Sequence, residues 1–149
     1  KTESASEFNY KNNVRSVTIN RFKSSTIEAF MHNLVILLAH GSSDESWSAT
    51  FEHFTQSARA KYTNTKLAYM ELSQPSLEQA VSVAVNDGYK NISILPLFLA
   101  KGKHLRHDIP KQMEKLQAKY NIEIELLAPL GEQAELASAV ELIIDRHIQ

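Results

Sequence analysis

Between Leu34 and the C-terminus, the sequence alternates between short strand patterns and longer helical patterns. The first strand, Leu34–Ala39, is a continuous apolar run, which is typical of a strand buried on both faces of a parallel sheet. Further strands are predicted at Lys66–Leu72, Asn91–Phe98 and Ile122–Leu127. Strands that alternate with helices form parallel sheets, and right-handed crossovers limit the possible topologies. Among these we choose a flavodoxin-like order 2-1-3-4 and predict a three-layer α/β sandwich with a four-stranded parallel sheet.

Helices are predicted between and after these strands. The first covers about Glu45–Tyr62, where apolar residues recur at helical spacing. The second has Pro75 in its first turn and ends at Gly88. The third is expected to take Asp108 as its N-cap and has Pro110 in its first turn. The apolar stripes of the first and last helices consist of Trp47, Phe51, Phe54 and Ala58, and of Leu136, Val140, Ile143 and Ile144.

The composition is that of an ordinary globular domain. The 149 residues fit one domain, with 43% hydrophobic and 22% charged residues. The formal net charge of -1 gives no electrostatic case for nucleic acid, and no apolar run approaches the length of a membrane span. The absence of cysteine excludes disulfides, thiolate catalysis and cysteine-based metal sites. Because a chain without cysteine fits a reducing compartment, we expect a cytoplasmic protein. From the net charge and the short apolar runs, we expect neither a nucleic-acid nor a membrane partner.

Residues 1–33 differ from the rest of the chain. They are polar at first and then show scattered apolar residues without a clean period. They also lack the compact apolar segment of a signal peptide. We therefore predict a flexible or loosely packed N-terminal extension over residues 1–33 and a single domain over residues 34–149. Met31 is a candidate for an alternative translation start, and Val17 and Ile19 leave room for a short extra strand.

Side chains that can bind a metal follow three of the predicted strands. His40 comes directly after strand 1, Glu71 lies near the end of strand 2, and His104 follows strand 3. Because the carboxyl ends of neighbouring parallel strands meet at one edge of the sheet, we expect the three side chains to open onto one cleft. Two imidazoles and a carboxylate suit iron, cobalt, nickel or zinc, and a neutral imidazole can also accept protons. The alternative is a structural role, since strand-end histidines are more often hydrogen-bonded structural groups.

The loop after strand 3 carries the cations Lys101, Lys103 and Arg106. A charge run is usually a solvated face, but this one borders the predicted cleft, where it can pair with carboxylates of an acidic substrate. His107 in the same loop is a candidate auxiliary ligand or proton relay. Ser42 and Ser43 are interpreted as a cap for the following helix, with anion binding by free backbone N–H groups as the alternative.

Several familiar motifs are missing from the sequence. It contains no Gly-x-Gly-x-x-Gly and no P-loop pattern, so dinucleotide-binding and P-loop fingerprints are excluded. A serine lies near His40, but the absence of a Gly-x-Ser-x-Gly nucleophile elbow argues against a serine hydrolase. Of the other histidines, His53 is expected to be solvated, His147 to complement the dipole of the last helix, and His32 to belong to the N-terminal extension.

Five segments carry a family resemblance: Leu38-Ala39-His40-Gly41-Ser42, Met70-Glu71-Leu72-Ser73-Gln74-Pro75-Ser76-Leu77, Pro96-Leu97-Phe98 with Gly102-Lys103-His104, Asp108-Ile109-Pro110, and Pro129-Leu130-Gly131. Together they resemble the sirohydrochlorin chelatase family, the ATP-independent class II chelatases of the CbiX type. The resemblance covers about Asn33 to His147. The length resembles the short form, which corresponds to half of a two-lobed chelatase, so the resemblance implies a chelatase fold and a homodimer.

The resemblance also implies an activity and the residues that perform it. The activity is insertion of cobalt(II) or iron(II), with nickel(II) as a further candidate, into sirohydrochlorin on the way to cobalamin or siroheme. Carried over by motif, His40, Glu71 and His104 are the metal-binding and catalytic residues. The metal is then a substrate, and no cofactor is permanently bound. Two features depart from the family pattern, namely the 33-residue leader and His107.

Two other functions remain open at this point. A metal or tetrapyrrole carrier would bind its ligand without turnover, and a flavodoxin-like regulatory module would do neither. In the enzyme, Ser42, Ser43, Lys101, Lys103 and Arg106 are the candidate substrate-binding residues. The sequence does not choose the metal, because imidazole and carboxylate ligands accept cobalt, iron and nickel alike.

Overall fold

Four parallel strands form one sheet in the order β2-β1-β3-β4 in the computed structural model, which describes residues 33–148. The strands are β1 (Asn33–Ala39), β2 (Thr65–Tyr69), β3 (Asn91–Pro96) and β4 (Glu123–Leu126). The predicted α/β class and strand order are confirmed. The predicted N-terminal extension lies outside the described residues, except for Asn33, which begins β1.

Four helices follow the strands in turn. They are α1 (Glu45–Lys61), α2 (Leu77–Asn86), α3 (Ile109–Tyr120) and α4 (Ala134–Ile148). A π-helical turn (His104–Asp108) leads into α3, and a 3-10 turn (Leu130–Glu132) precedes α4. Among the described residues, none of the helices combines the length and apolar character that crossing a membrane requires.

The main hydrophobic core lies between one face of the sheet and helices α2 and α3. Alternate residues of β1 point to this face, and Leu34, Ile36 and Leu38 are fully buried there. Val81 of α2 and Leu116 of α3 pack against them. The apolar run predicted as a doubly buried strand is therefore buried on this side by two helices.

The opposite face of the sheet has a smaller core. Leu37 and Ala39 of β1 and Leu67 and Tyr69 of β2 are buried there, with Phe51 of α1 packed against them. This core covers the side of the sheet nearest β2. Glu123 and Glu125 of β4 point to the same face and are exposed.

Helix α1 does not bury the stripe that its sequence predicts. Trp47 and Phe54 are exposed, and Thr55 is the buried residue of the helix. The predicted stripe of Trp47, Phe51, Phe54 and Ala58 is therefore wrong in all but Phe51. The physical reason is that the Thr55 hydroxyl donates to the carbonyl of Phe51 at 2.8 Å, so threonine can be buried without losing a hydrogen bond.

The start of α2 also differs from its prediction. Ser76 is the N-cap, and it forms a capping box with Gln79, whose side chain accepts from the Ser76 backbone N–H at 2.8 Å. Pro75 therefore precedes the helix and does not lie in its first turn. The predicted end of the helix is confirmed, because Gly88 follows it with a φ of 93°.

Helix α4 has the predicted apolar stripe but buries none of its residues. Its principal contacts are with the 3-10 turn that precedes it. Val140 and Ile143 are each 49% exposed, and Ile144 is 50% exposed. The described part of the chain thus presents an amphipathic helix whose apolar side is open to solvent.

Candidate active site

The loops that follow β1 and β2 are held together by backbone hydrogen bonds. The N–H of Met70 donates to the carbonyl of Ala39 at 2.9 Å, and the N–H of Glu71 donates to the carbonyl of His40 at 3.1 Å. Strand β2 itself ends at Tyr69, two residues earlier than Glu71. The parallel pairing thus continues into the loops and places the backbone of Glu71 beside that of His40.

Gly41 is needed where these two loops meet. Its φ is +88°, a region that residues with a Cβ rarely adopt, and a Cβ at this position would overlap the carbonyl oxygen of Glu71. The backbone of the first loop therefore approaches the second more closely than any other residue would permit.

Replacing Gly41 with alanine is expected to lower the free energy of unfolding by about 1–3 kcal/mol, because the strained φ and the overlap with Glu71 must both be relieved. Urea denaturation of the two proteins measures this loss. Gly102 is the matched control, since a Cβ there meets nothing within 4 Å and its φ is not in the positive region. Equal losses for Gly41→Ala and Gly102→Ala would contradict the close approach.

A serine cluster continues the contact between the same loops. The Ser73 hydroxyl donates to the carbonyl of Ser42 at 2.9 Å and accepts from the N–H of Ser42 at 3.0 Å and from the Ser48 hydroxyl at 3.0 Å. The N-cap of α1 is Asp44, which accepts from the N–H of Ser46. The predicted cap at Ser42 and Ser43 is therefore wrong, because the residue directly before the helix supplies the carboxylate.

His40 is oriented by an aromatic contact. Its ring stacks on Phe98 with 4.2 Å between centroids and an angle of 28° between planes. Phe98 is buried just beyond the end of β3, and its carbonyl accepts from the N–H of Gly131 at 2.9 Å. Since His40 follows β1, the stack brings the carboxyl ends of β1 and β3 together at one edge of the sheet.

His104 lies on the π-helical turn before α3 and is exposed. Its Nδ1 is 2.7 Å from Oδ2 of Asp108. Asp108 does occupy the N-cap position of α3, but its side chain forms no capping hydrogen bond. The prediction that Asp108 caps the helix is therefore wrong in its hydrogen bond, because the carboxylate faces the imidazole.

The three predicted ligands follow strands β1, β2 and β3, as expected. His40 and Glu71 lie on adjoining backbones, and His40 reaches the Phe98 loop that leads on to His104. Within residues 33–148, however, no group of three His, Asp or Glu side chains stands ready to hold a metal ion. The assignment of His40, Glu71 and His104 as metal ligands stays a prediction.

The predicted cations near this edge are all exposed. Lys101 forms an ion pair with Glu132 at 2.9 Å, which ties the loop after β3 to the 3-10 turn. Lys103 and Arg106 form no ion pair with any other described residue. His107 is also exposed, on the same turn as His104.

Two further groups near the site have shifted pKa values. Hydrogen bonds from Ser46 hold the pKa of Asp44 below its ordinary value, so this cap is charged at neutral pH. Burial raises the pKa of Tyr69, whose hydroxyl donates to the carbonyl of Ser48 at 3.3 Å. Tyr69 is therefore a neutral structural group beneath the β2 loop.

A family model named CbiX matches residues 34–146. The chain belongs to the CbiX family. The sirohydrochlorin cobaltochelatase of Sulfurisphaera tokodaii is 27% identical to this CbiX chain over 107 residues, covering 72% of this chain and 87% of the relative.

Two solved structures share the fold, and the first of them also agrees with the family assignment. A CbiX protein from Marinobacter aquaeolei VT8 is 39% identical, with a TM-score of 0.73 over 78% of this chain and 97% of the other. The sirohydrochlorin chelatase SirB from Bacillus subtilis subspecies spizizenii, in complex with cobalt, is 24% identical, with a TM-score of 0.68 over 78% of this chain and 51% of the other. The CbiX chain thus matches about half of that second structure.

Three site residues of this CbiX protein escaped the sequence reasoning. The spacing of four between His104 and Asp108 is a usable signal, because residues four apart on a helix are neighbours. Phe98 is predicted only as part of a strand, and its stack with His40 depends on the strand order. Ser73 lies 31 residues from Ser42 along the chain, so no local pattern relates the two.

Proposed function

We propose that this CbiX protein is a sirohydrochlorin chelatase, a lyase that inserts cobalt(II) or iron(II) into sirohydrochlorin without ATP. The observation that carries the proposal is the meeting of the loops that bear His40, Glu71 and His104 at the carboxyl edge of the sheet of a CbiX domain. Relatives named sirohydrochlorin cobaltochelatase and sirohydrochlorin ferrochelatase support both metals. The product would serve cobalamin or siroheme synthesis.

The exposed imidazoles and carboxylate suit a metal that must be released. Two nitrogen ligands and one oxygen ligand leave coordination positions open toward the macrocycle, unlike a closed structural zinc site. The pyrrolic protons must leave as the metal enters, and a neutral imidazole or the Glu71 carboxylate can accept them. We therefore treat the metal as a substrate and propose no permanently bound cofactor.

The cations beside the site suit the carboxylates of sirohydrochlorin. Lys103 and Arg106 are exposed and lie within three residues of His104 in the sequence. Lys101 would have to exchange Glu132 for a substrate carboxylate, an exchange that costs little because the pair is exposed. Ser42 and Ser43 complete the proposed substrate contacts on the β1 side.

A steady-state assay tests the proposed activity. The protein is mixed anaerobically with sirohydrochlorin and with cobalt(II), iron(II) or nickel(II) in turn, and the tetrapyrrole absorption spectrum is followed. We expect many turnovers per protein and a rate above that of the metal alone. Stoichiometric binding without a faster reaction would identify a carrier, and neither binding nor acceleration would contradict the proposed function altogether.

We also propose that the protein is a cytoplasmic homodimer. The support is an apolar helix face and an uncovered sheet face on the same chain. On the side of the sheet away from α2 and α3, Val35, Leu95 and Leu97 are only partly buried. Below them a groove of about 480 Å³ opens at the amino ends of β3 and β4, with Glu123 and Glu125 in its lining.

Helix α4 has the complementary features. Its stripe of Leu136, Val140 and Ile143 would cover the apolar part of the uncovered sheet face. We propose that α4 lies antiparallel to the strands of the other copy, which would place Arg146 of its last turn at their amino ends, near Glu123 and Glu125. Because each copy carries both surfaces, reciprocal packing of α4 gives a closed two-fold pair.

A further inference from the structure

The side chain of Asp108 contacts His104 and forms no capping hydrogen bond with its own helix. Asp108 occupies the N-cap position of α3, where a carboxylate would ordinarily accept from a backbone N–H. It forms no such bond, and its Oδ2 lies 2.7 Å from Nδ1 of the imidazole. Asp108 has helical backbone angles, and the π-helical turn continues directly into α3, with the N–H of Ile109 donating to the carbonyl of His104. The carboxylate is therefore not needed as a cap and is free to contact the imidazole.

The local backbone fixes this contact. Leu105 and Ile109 are 4% and 2% exposed, and both belong to the main core. His104 and Asp108 each precede one of these buried residues, so the two anchors hold the imidazole and the carboxylate on the same exposed side of the turn. The turn is π-helical, a rare conformation that occurs frequently at functional sites.

We propose that Asp108 is a positioning residue for His104. An ionised carboxylate only accepts hydrogen bonds, so the neutral imidazole must carry its proton on Nδ1. The lone pair of Nε2 is then free for a metal or a proton, and the hydrogen bond on the other nitrogen fixes the orientation of the ring. This inference rests on the proposed function, because it assigns His104 the role of ligand and base.

His40 shows that this arrangement is particular to one of the two histidines. Its ring is oriented by stacking on Phe98, and no carboxylate within the described residues pairs with it. Glu132 forms its ion pair with Lys101, in the loop before the turn that carries His104. The carboxylate that contacts His104 is that of Asp108. The two imidazoles are therefore oriented in different ways, one by an aromatic face and one by a charge.

Asp108→Ala tests the proposal through the ring itself. Nitrogen-15 NMR, at a pH where the imidazole is neutral, reports which ring nitrogen of His104 carries the proton. We expect Nδ1–H in the parent protein and Nε2–H in the variant, since an unconstrained imidazole favours the latter. An unchanged tautomer would mean that the contact with Asp108 does not set the proton position of the His104 ring.

Cobalt(II) binding supplies the second measurement. Titration with cobalt(II) alone is expected to give an affinity roughly 10- to 100-fold weaker for Asp108→Ala, with partial recovery in Asp108→Glu. Glu114→Ala is the control, because Glu114 is an exposed carboxylate on the same helix. The urea midpoint of Asp108→Ala should stay at the parent value, since the lost bond is exposed.

An unchanged tautomer together with unchanged cobalt(II) affinity would overturn the proposal. If Asp108→Ala fails to fold, Asp108→Leu gives the same decision, because leucine is of similar size and cannot accept a hydrogen bond from the imidazole. The insertion assay separates this result from the proposed function. Insertion that still depends on His104 while the tautomer ignores Asp108 overturns the positioning role alone.

Discussion

Replacing His104 with alanine should slow metal insertion into sirohydrochlorin at least roughly 100-fold, the lower range of what a positioned acid or base contributes. The variant removes one of the proposed ligands and a proton acceptor at the same time. It should fold normally, because the imidazole is exposed and its only described partner is the equally exposed Asp108. The initial rate with cobalt(II), read from the tetrapyrrole absorption spectrum, measures the effect.

The control for this experiment is His53→Ala. His53 is an exposed histidine of α1 on the side of the helix away from the sheet, so its loss should leave the insertion rate at the parent value. Circular dichroism and urea denaturation confirm that both variants fold. A His104→Ala protein that inserts cobalt(II) at the parent rate would remove His104 from the proposed site.

Replacing Ile143 with aspartate should convert the proposed homodimer into a monomer. Ile143 is 49% exposed in the single chain and lies at the centre of the apolar stripe of α4. In the proposed pair, an aspartate there would be buried against apolar side chains and near Glu123 and Glu125. An unpaired buried charge costs about 3 kcal/mol or more, which weakens association by roughly 100-fold.

Ser138→Asp is the matched control, because it adds the same charge to the opposite side of the same helix. Light scattering coupled to size exclusion gives the mass of each protein. We expect a dimer for the parent chain and Ser138→Asp, and a monomer for Ile143→Asp. A parent chain that runs as a monomer, or an Ile143→Asp protein that stays dimeric, would contradict the proposed pairing surface.

The sheet could be predicted from the sequence because its rules are local. A strand covered on both faces has a continuous apolar run, and Leu34–Ala39 is such a run. Gly88 ends α2 because the backbone there needs a positive φ. The strand order 2-1-3-4 is one of the topologies that right-handed crossovers allow, and with this order the sequence indicates which loops meet at the carboxyl edge.

The wrong predictions concern polar side chains whose hydrogen-bond partner the sequence pattern does not specify. Thr55 is buried because its hydroxyl donates to the backbone, which a hydropathy pattern does not record. Asp44 caps α1 although two serines precede it, and Asp108 contacts His104 and caps nothing. In each case the partner lies within four residues, but the residue types allow more than one local hydrogen bond, so the sequence indicated the proposed ligands without the groups that orient them.

The sequence predicts which strands the candidate site residues follow, but not where their side-chain atoms lie. His40, Glu71 and His104 follow the expected strands, yet residues 33–148 contain no ready group of three metal ligands. The reason is that a strand end fixes the backbone but not the direction of an exposed side chain. The stack on Phe98 illustrates this, since it sets the His40 ring through a residue of the loop after β3.

The open apolar face of α4 has a consequence for how the protein behaves on dilution. If that face is covered only by a second copy, the stability of each chain is linked to association by mass action. The melting temperature should then rise with protein concentration, whereas the melting temperature of an independent monomer does not depend on it. An assay at very low enzyme concentration would then measure a partly dissociated population. The specific activity would change with enzyme concentration and would report the fraction of chains in the dimer.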